Sequence, residues 1–343
     1  MNYKDKVILV TGGTGSIGSS IVRKLLEQEP RQIRILSRDE SKQYNLFHEL
    51  GSDQRVRLLI GDVRDQDRVN MAMENVDIVF HAAAMKHVGA CENDPFEAVK
   101  TNVLGTQNVI HAAMNNGVER VIGISTDKAT DPVSVMGSTK LLAERIMLAS
   151  HFYSGGGRKT KICFVRFGNV LSTRGSVVPH FYKQIKNGNP VTVTDTDMVR
   201  FFMSIEDAIN LVFKAAETMS DREIFVLKMP VMKITDLAQA MIELYSDAGK
   251  KVDIKIVGRR NGERLDEKLL TSDEAMYALE NEEMFIITPV IGSEHRKPAE
   301  FIGAHKTTSK GYSTEGKEVL SVDEIKKLLK KDEKNMMRVL GMS

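Results

Sequence analysis

Val7-Ile8-Leu9-Val10-Thr11-Gly12-Gly13-Thr14-Gly15-Ser16-Ile17-Gly18 is the stretch that decides the fold. Its four leading apolar residues have the pattern of a parallel strand covered on both faces. The glycines at 12, 15 and 18 permit a tight turn, close approach of backbone to a pyrophosphate, and close packing of a helix on the strand. An amphipathic helix runs on to about Glu27, and its free N–H groups face the phosphates. A glycine-rich loop alone is a weak signal. Set between an amino-terminal strand and a helix, it predicts dinucleotide binding on an α/β fold. The architecture expected is a Rossmann-type doubly wound parallel sheet with a smaller C-terminal substrate lobe.

Working outward, the second strand, Ile33 to Leu36, ends in Ser37-Arg38-Asp39. A cofactor without a 2′-phosphate usually meets an acidic residue here, bonded to the ribose hydroxyls. In this chain Ser37 and Arg38 come first and Lys42 lies one turn further, with Asp39 between. A hydroxyl and two cations suit a 2′-phosphate, so NADP is expected over NAD. Val56 to Ile60 is a third strand, followed by Asp62, placed to accept from an adenine amino group, and Val63, placed against the ring. Val79 to His81 leads into Ala82, Ala83 and Ala84, whose small side chains let backbone run close to the cofactor. Lys86 is a candidate substrate contact, His87 a loop anchor, and Asn102 a partner for backbone near the active lysine.

Val121 to Ile124 is a buried strand that delivers Ser125-Thr126-Asp127-Lys128 past its carboxyl end, where open α/β sheets bind ligands. Met136 and Lys140 follow at a spacing of four, on one face of a helix. A hydroxyl pair, a carboxylate and two amines therefore share one cleft. After a Ser154-Gly155-Gly156-Gly157 connector, Ile162 to Phe167 is a further strand that delivers Arg166, Gly168 and Asn169. Segments Arg174 to Pro179 and Thr192 to Arg200 supply a second lobe, and Phe225-Val226-Leu227 returns to the main sheet. Gly258 to Arg264 gathers three arginines around a turn, a residue type suited to bidentate phosphate recognition. The expected division is an NADP-binding domain over 1–170, rejoined by a strand near 225–228. A nucleotide-sugar lobe follows over 171–290, then a tail over 291–343 with a charged surface helix at Val322 to Val339.

The 343 residues are 42% hydrophobic and 27% charged, and 48 basic against 46 acidic groups leave a net charge of +2. That balance calls for neither nucleic acid nor an anionic membrane as partner. Two cysteines, Cys91 and Cys163, suggest neither a disulfide framework nor a metal site, and fit a reducing cytoplasm. The first residues run straight into a strand, and no stretch of about 18 apolar residues occurs, so a cytoplasmic protein without a membrane span is expected. Apolar positions left over on the helices near Pro95 to Asn115 and Met136 to Ser150 suggest a homo-oligomer, a dimer or hexamer.

Taken together, the glycine turn, Ser37-Arg38-Asp39-Glu40, His81-Ala82-Ala83-Ala84-Met85-Lys86-His87-Val88, Ser125-Thr126-Asp127-Lys128-Ala129, Arg166-Phe167-Gly168-Asn169-Val170, Arg174-Gly175-Ser176-Val177 and Gly262-Glu263-Arg264 carry a resemblance. The chain resembles the extended short-chain dehydrogenase/reductases and, within them, the UDP-N-acetylglucosamine 4,6-dehydratases of polysaccharide and glycan synthesis. The resemblance implies an internal redox dehydration with NADP recycled, in which Thr126 bonds the C4 oxygen, Asp127 is the acid and Lys128 the base. Lys140 would be the active lysine, which also holds the cofactor with Gly12, Thr14, Gly15, Ser16, Ile17 and Gly18. Asn169, Arg174, Ser176, Val177, Arg200, Arg260 and Glu263 would line the UDP-sugar site, with the arginines on the pyrophosphate. Burial together with Lys140 would favour a neutral Lys128, as a base requires, while an ionised Asp127 pushes the other way, so the pair shares protons as a unit. Inversion at C5, giving an L-arabino 4-keto-6-deoxy sugar, is the expected outcome, with retention its close rival.

One position departs from the superfamily. Met136 stands where a tyrosine base is usual, and a thioether takes no proton. Some members of the dehydratase group carry methionine there too. A UDP-sugar 4-epimerase and a non-catalytic NADP-binding relative stay open as alternatives.

Overall fold

The computed structural model describes residues 1–153, 160–247, 249–260, 262–289, 301 and 303–342. Six strands alternate with helices through the first half: β1 (Val7–Thr11), β2 (Gln32–Ser37), β3 (Val56–Ile60), β4 (Ile78–His81), β5 (Arg120–Ile124) and β6 (Lys161–Arg166). They lie side by side in the order β3-β2-β1-β4-β5-β6, every pair parallel. Helices cover both faces, which is why Ile8, Leu9, Val10, Ile78, Val79 and Phe80 are all fully buried and the strands read as unbroken apolar runs. The strand order reverses between β1 and β4, and the carboxyl ends there open the crevice that serves ligands in this fold. This is the Rossmann-type doubly wound sheet.

Ile224–Leu227 joins the sheet parallel to β6, where a returning strand was expected. Beyond it, Met284–Ile287, Ala278–Glu280 and His305–Lys306 add antiparallel, making ten strands among the described residues. Part of the stretch expected in the smaller lobe, and part of the tail, thus belong to the main sheet. The cause is burial: Ala278, Leu279, Met284, Phe285 and Ile286 share the core of Ile224 and Phe225.

A second core gathers Leu171, Val178, Phe181, Ile185, Phe202, Met232, Leu237 and Met241. The helix Val322–Leu340, expected on the surface, closes this core with Ile325, Leu329 and Met336. The capping box of Ser321 and Glu324 fixes its start. The Ser154 to Gly157 connector lies outside the described residues.

Candidate active site

The glycine turn follows β1 and opens the helix Ser16–Leu26, whose N-cap Gly15 offers no side-chain cap to the first N–H groups. Those donors are left for an anion, which a pyrophosphate would supply. Gly12 has φ +66°, and a Cβ there would stand 2.7 Å from the backbone of Ala83. Only glycine lets β1's turn and the Ala82-Ala83-Ala84 segment close on each other. Thr14, Ser16, Ile17 and Gly18 lie in the same turn and first helical residues.

At the end of β2 the Ser37 hydroxyl accepts from the buried Gln43 amide at 3.0 Å. The Asp39 carboxylate is occupied as the N-cap of the helix Glu40–Glu49, accepting from Lys42 N–H at 2.9 Å, and its second oxygen takes the Lys42 ammonium at 2.7 Å. Arg38 is exposed and reaches Asp62 at 3.8 Å. Asp62 also holds Arg64 at 2.6 Å; burial raises its pKa, but this arginine outweighs it and brings the carboxyl below its ordinary value. Val63 is buried against Gly105. The residues present fit a dinucleotide, with Arg38 exposed past the end of β2 and the Asp39 carboxylate engaged at the start of its own helix.

Past β5, Thr126 Oγ1 donates to Asp127 Oδ1 at 2.6 Å. Asp127 is buried, and both of its oxygens lie 3.1 Å from Lys128 Nζ. The next carboxylate was not foreseen: Glu267 Oε1 lies 3.4 Å from the same Nζ. Burial favours a neutral Lys128, but Asp127 and then Glu267 outweigh it and raise its pKa above the ordinary lysine value, with Arg200 opposing. The opposing push expected from Asp127 is thus joined by Glu267, and together they hold the amine toward its charged form.

The helix Val135–Ala149 packs its first turn directly on the Lys128 carbonyl, a contact that leaves no room for a Cβ at Gly137. Lys140 on this helix is buried, donates to Ile124 O at 2.5 Å and lies 6.0 Å above the Phe164 ring. Burial pushes its pKa down to about 8, with Glu144 opposing. Met136 is buried in a small apolar cluster with Cys91 and Ala98, so it serves as packing where a base would stand. Asn102, inside a π-helical stretch Val99–Leu104, brackets Met85 by accepting from its N–H at 2.8 Å and donating to its carbonyl at 3.0 Å. It also donates to Thr139 beside Lys140 at 3.0 Å.

Behind this cleft runs an ion network. Ser125 donates to Glu144 at 2.5 Å, and Glu144 holds the fully buried Arg166 at 2.6 Å, which in turn binds Glu274 at 2.9 Å. Arg166 therefore supports β5 and β6 from within the protein.

The substrate-side residues divide. Lys86 Nζ donates to Arg174 O at 2.6 Å, while Arg174 donates to Thr14 O at 3.2 Å, so this loop is tied to the glycine turn. Burial, then Arg174, lowers the Lys86 pKa. Asn169 sits in the short strand Asn169–Val170. Ser176 donates to Leu171 O at 2.7 Å and stands just before the helix that Val177 begins, with no capping bond from its hydroxyl. Glu263 accepts from Arg260 N–H at 3.0 Å, closing the turn whose Gly262 comes near Ser134, while Asn261 lies outside the described residues. Arg200, expected on a pyrophosphate, is engaged by protein groups. Its guanidinium donates to Val199, Leu265 and Arg264 carbonyls at 2.7, 2.8 and 2.6 Å, and its Nε lies 3.5 Å from Glu267. Those bonds bury it as a clamp between segments.

Residues 8–289 match the profile of a family described as polysaccharide biosynthesis protein. An uncharacterized membrane protein of Methanocaldococcus jannaschii is 50% identical over 332 residues, 96% of each chain. The UDP-N-acetylglucosamine 4,6-dehydratase (inverting) of Campylobacter jejuni is 44% identical over 291 residues, 84% of each. A UDP-glucose 4-epimerase of Rickettsia rickettsii is 38% identical, covering 95% of this chain and 96% of its own. The X-ray structure of Pen from Bacillus thuringiensis superposes with TM-score 0.90 at 41% identity, over 97% of this chain and 99% of that one. Among the described residues no helix is long and apolar enough to cross a membrane.

Proposed function

The chain belongs to the polysaccharide biosynthesis protein family, among the extended short-chain dehydrogenase/reductases, and we propose that it is an NADP-dependent 4,6-dehydratase of UDP-N-acetylglucosamine. Inversion at C5 is proposed from the name of its Campylobacter jejuni relatives. The observation that carries the reading is the run Thr126, Asp127 and Lys128, with Oγ1 to Oδ1 at 2.6 Å and both carboxylate oxygens 3.1 Å from Nζ. Elimination of a C6 hydroxyl needs an acid for the oxygen and a base for C5; a 4-epimerase needs neither.

The chemistry that a bound nicotinamide supplies is removal of hydride from C4 and its return at C6. The chain's own residues manage the protons. Thr126 lies against Asp127, so the C4 hydroxyl proton passes through its Oγ1 to that carboxylate, and no tyrosine is required at Met136. Asp127, then protonated, gives that proton to the departing C6 hydroxyl. Lys128, once neutral, takes the proton from C5, which the C4 ketone has made acidic. The same groups act as one coupled proton-sharing unit.

Preference for NADP is supported by Ser37 and the exposed Arg38, together with the capping role of Asp39. A homo-oligomer is supported by Phe96, Val99, Leu104 and Leu142, large apolar side chains exposed on the helices at residues 95–104 and 135–149.

The test is an NMR time course with UDP-N-acetylglucosamine in deuterated water. A new 6-deoxy methyl signal with deuterium at C5 is expected, with couplings of the L-arabino product. Appearance of UDP-N-acetylgalactosamine alone would make the chain an epimerase, and no change with NADP bound would overturn the substrate assignment.

A further inference from the structure

Lys128 poses a problem for its own chemistry. An ammonium gripped by carboxylates cannot accept a proton from C5, and the pair with Asp127 gives no obvious way for it to become neutral. Glu267 lies on the far segment of the chain, held in place by backbone bonds with Thr314: its N–H donates to Thr314 Oγ1 at 3.0 Å, and Thr314 N–H donates to its carbonyl at 2.9 Å. Its side chain is buried and faces Lys128 at 3.4 Å and Arg200 at 3.5 Å.

We propose that Glu267 is a positioning residue for the base, storing the proton that Lys128 Nζ sheds before the amine acts on C5. The inference rests on the dehydration reading. In the resting cleft the groups facing one another are Asp127, Lys128, Glu267 and Arg200. When the C4 proton reaches Asp127 through Thr126, that carboxylate becomes neutral and Glu267 is left as the anionic acceptor beside the amine. An N–H bond of Lys128 breaks with its electron pair remaining on nitrogen, and an O–H bond forms on Glu267. The freed pair takes the C5 proton, the C5–H electrons form the C5–C6 double bond, and Asp127 protonates the leaving hydroxyl to give water. On return of hydride to C6, C5 takes a proton from water on the opposite face. Glu267 then releases its stored proton to water, and the resting charges are restored.

Two features of the site favour this assignment. Burial first, and then Lys128, Asp127 and Arg200 with opposing signs, act on Glu267, and the net effect raises its carboxyl above the ordinary value, the direction a proton store needs. Arg200 is bonded to three backbone carbonyls and also pairs with Glu267 from Nε at 3.5 Å, a contact that orients the carboxylate toward Lys128.

The experiment compares wild type, Glu267→Gln and Glu267→Asp as NADP-loaded protein. The first measurement is independent of turnover: lysine labelled with ¹³C at Cε, Lys128 assigned through Lys128→Arg, and its charge state followed against pH. With the glutamine, the neutral fraction of Lys128 at fixed pH is expected to rise about tenfold or more; an unchanged titration overturns the proposal. The second is deuterium incorporation at C5 of UDP-N-acetylglucosamine, expected to fall about a hundredfold in the glutamine variant with KM unchanged and to recover in the aspartate variant. Full C5 exchange in Glu267→Gln would also overturn it. Wild type that yields only the C4 epimer overturns the dehydration reading itself, and the lysine titration then still decides whether Glu267 governs Lys128.

Discussion

Replacing Lys140 by methionine removes a charge that the fold holds at a cost. The side chain is buried, and burial carries its pKa from 10.5 to about 8. In the unfolded chain the amine regains its ordinary value, so between those two values the unfolded state binds more protons than the native one. Stability of the wild type therefore rises with pH across that window, and the penalty is present in full below it. A gap of about 2.5 pH units, at about 1.4 kcal/mol each, amounts to about 3 kcal/mol. The unfolded lysine is still mostly charged at pH 10, so about 2.5 kcal/mol of this returns between pH 7 and pH 10. Methionine has nothing to titrate there. The stability of Lys140→Met relative to wild type should accordingly fall by about 2.5 kcal/mol over that interval. The chain has no tryptophan, so urea unfolding of both proteins at both pH values is best followed by far-ultraviolet circular dichroism. A difference between the two proteins that stays constant with pH, or moves the other way, would refute the reasoning. Turnover of the variant should be lost at every pH, since the amine belongs to the proposed machinery; a stabilised but silent enzyme is the expected phenotype at pH 7.

Glu144→Ala strips the fully buried Arg166 of one of its two carboxylates and Ser125 of its acceptor, with Glu274 still paired to the guanidinium, and loss of a hydrogen bond to a charged group costs about 1.5 to 3 kcal/mol; a urea-derived loss below about 0.5 kcal/mol would contradict the network. Gly12→Ala imposes a left-handed residue and a contact of 2.7 Å with Ala83 backbone, which should cost about 1 to 3 kcal/mol of stability and weaken NADP binding in calorimetry. Arg38→Ala should lower NADP affinity about tenfold or more, the worth of a charge-assisted bond, while leaving NAD affinity as it was; equal losses for both cofactors would remove Arg38 from the 2′-phosphate.

Much of the fold was legible because its signals are local. The run Val7 to Val10 is apolar on every residue since both faces are covered, and Gly12 through Gly18 states its backbone needs within a few positions. Asn102 was legible too, as a polar residue on a helix bordering the cleft. The role of Arg200 was not. An arginine near a nucleotide-sugar motif carries the same side chain whatever it meets, and only the approach of the 264–267 segment shows which carbonyls engage it. The tail was misjudged for a similar reason: Val322–Leu340 is rich in charge, but Ile325, Leu329 and Met336 repeat on one face, and the second core was needed to show what that face meets.

By itself the sequence determined the strand order's beginnings, the phosphate turn, and the run Thr126-Asp127-Lys128 at the end of β5, because periodicity, glycine and adjacency are properties of neighbouring residues. Tertiary structure alone decided which further groups surround Lys128. Glu267 reaches Lys128 only through the pairing of its segment with the strand Tyr312–Ser313 and the clamp of Arg200. An electrostatic environment is the sum over groups brought together in space, and no spacing along the chain encodes it.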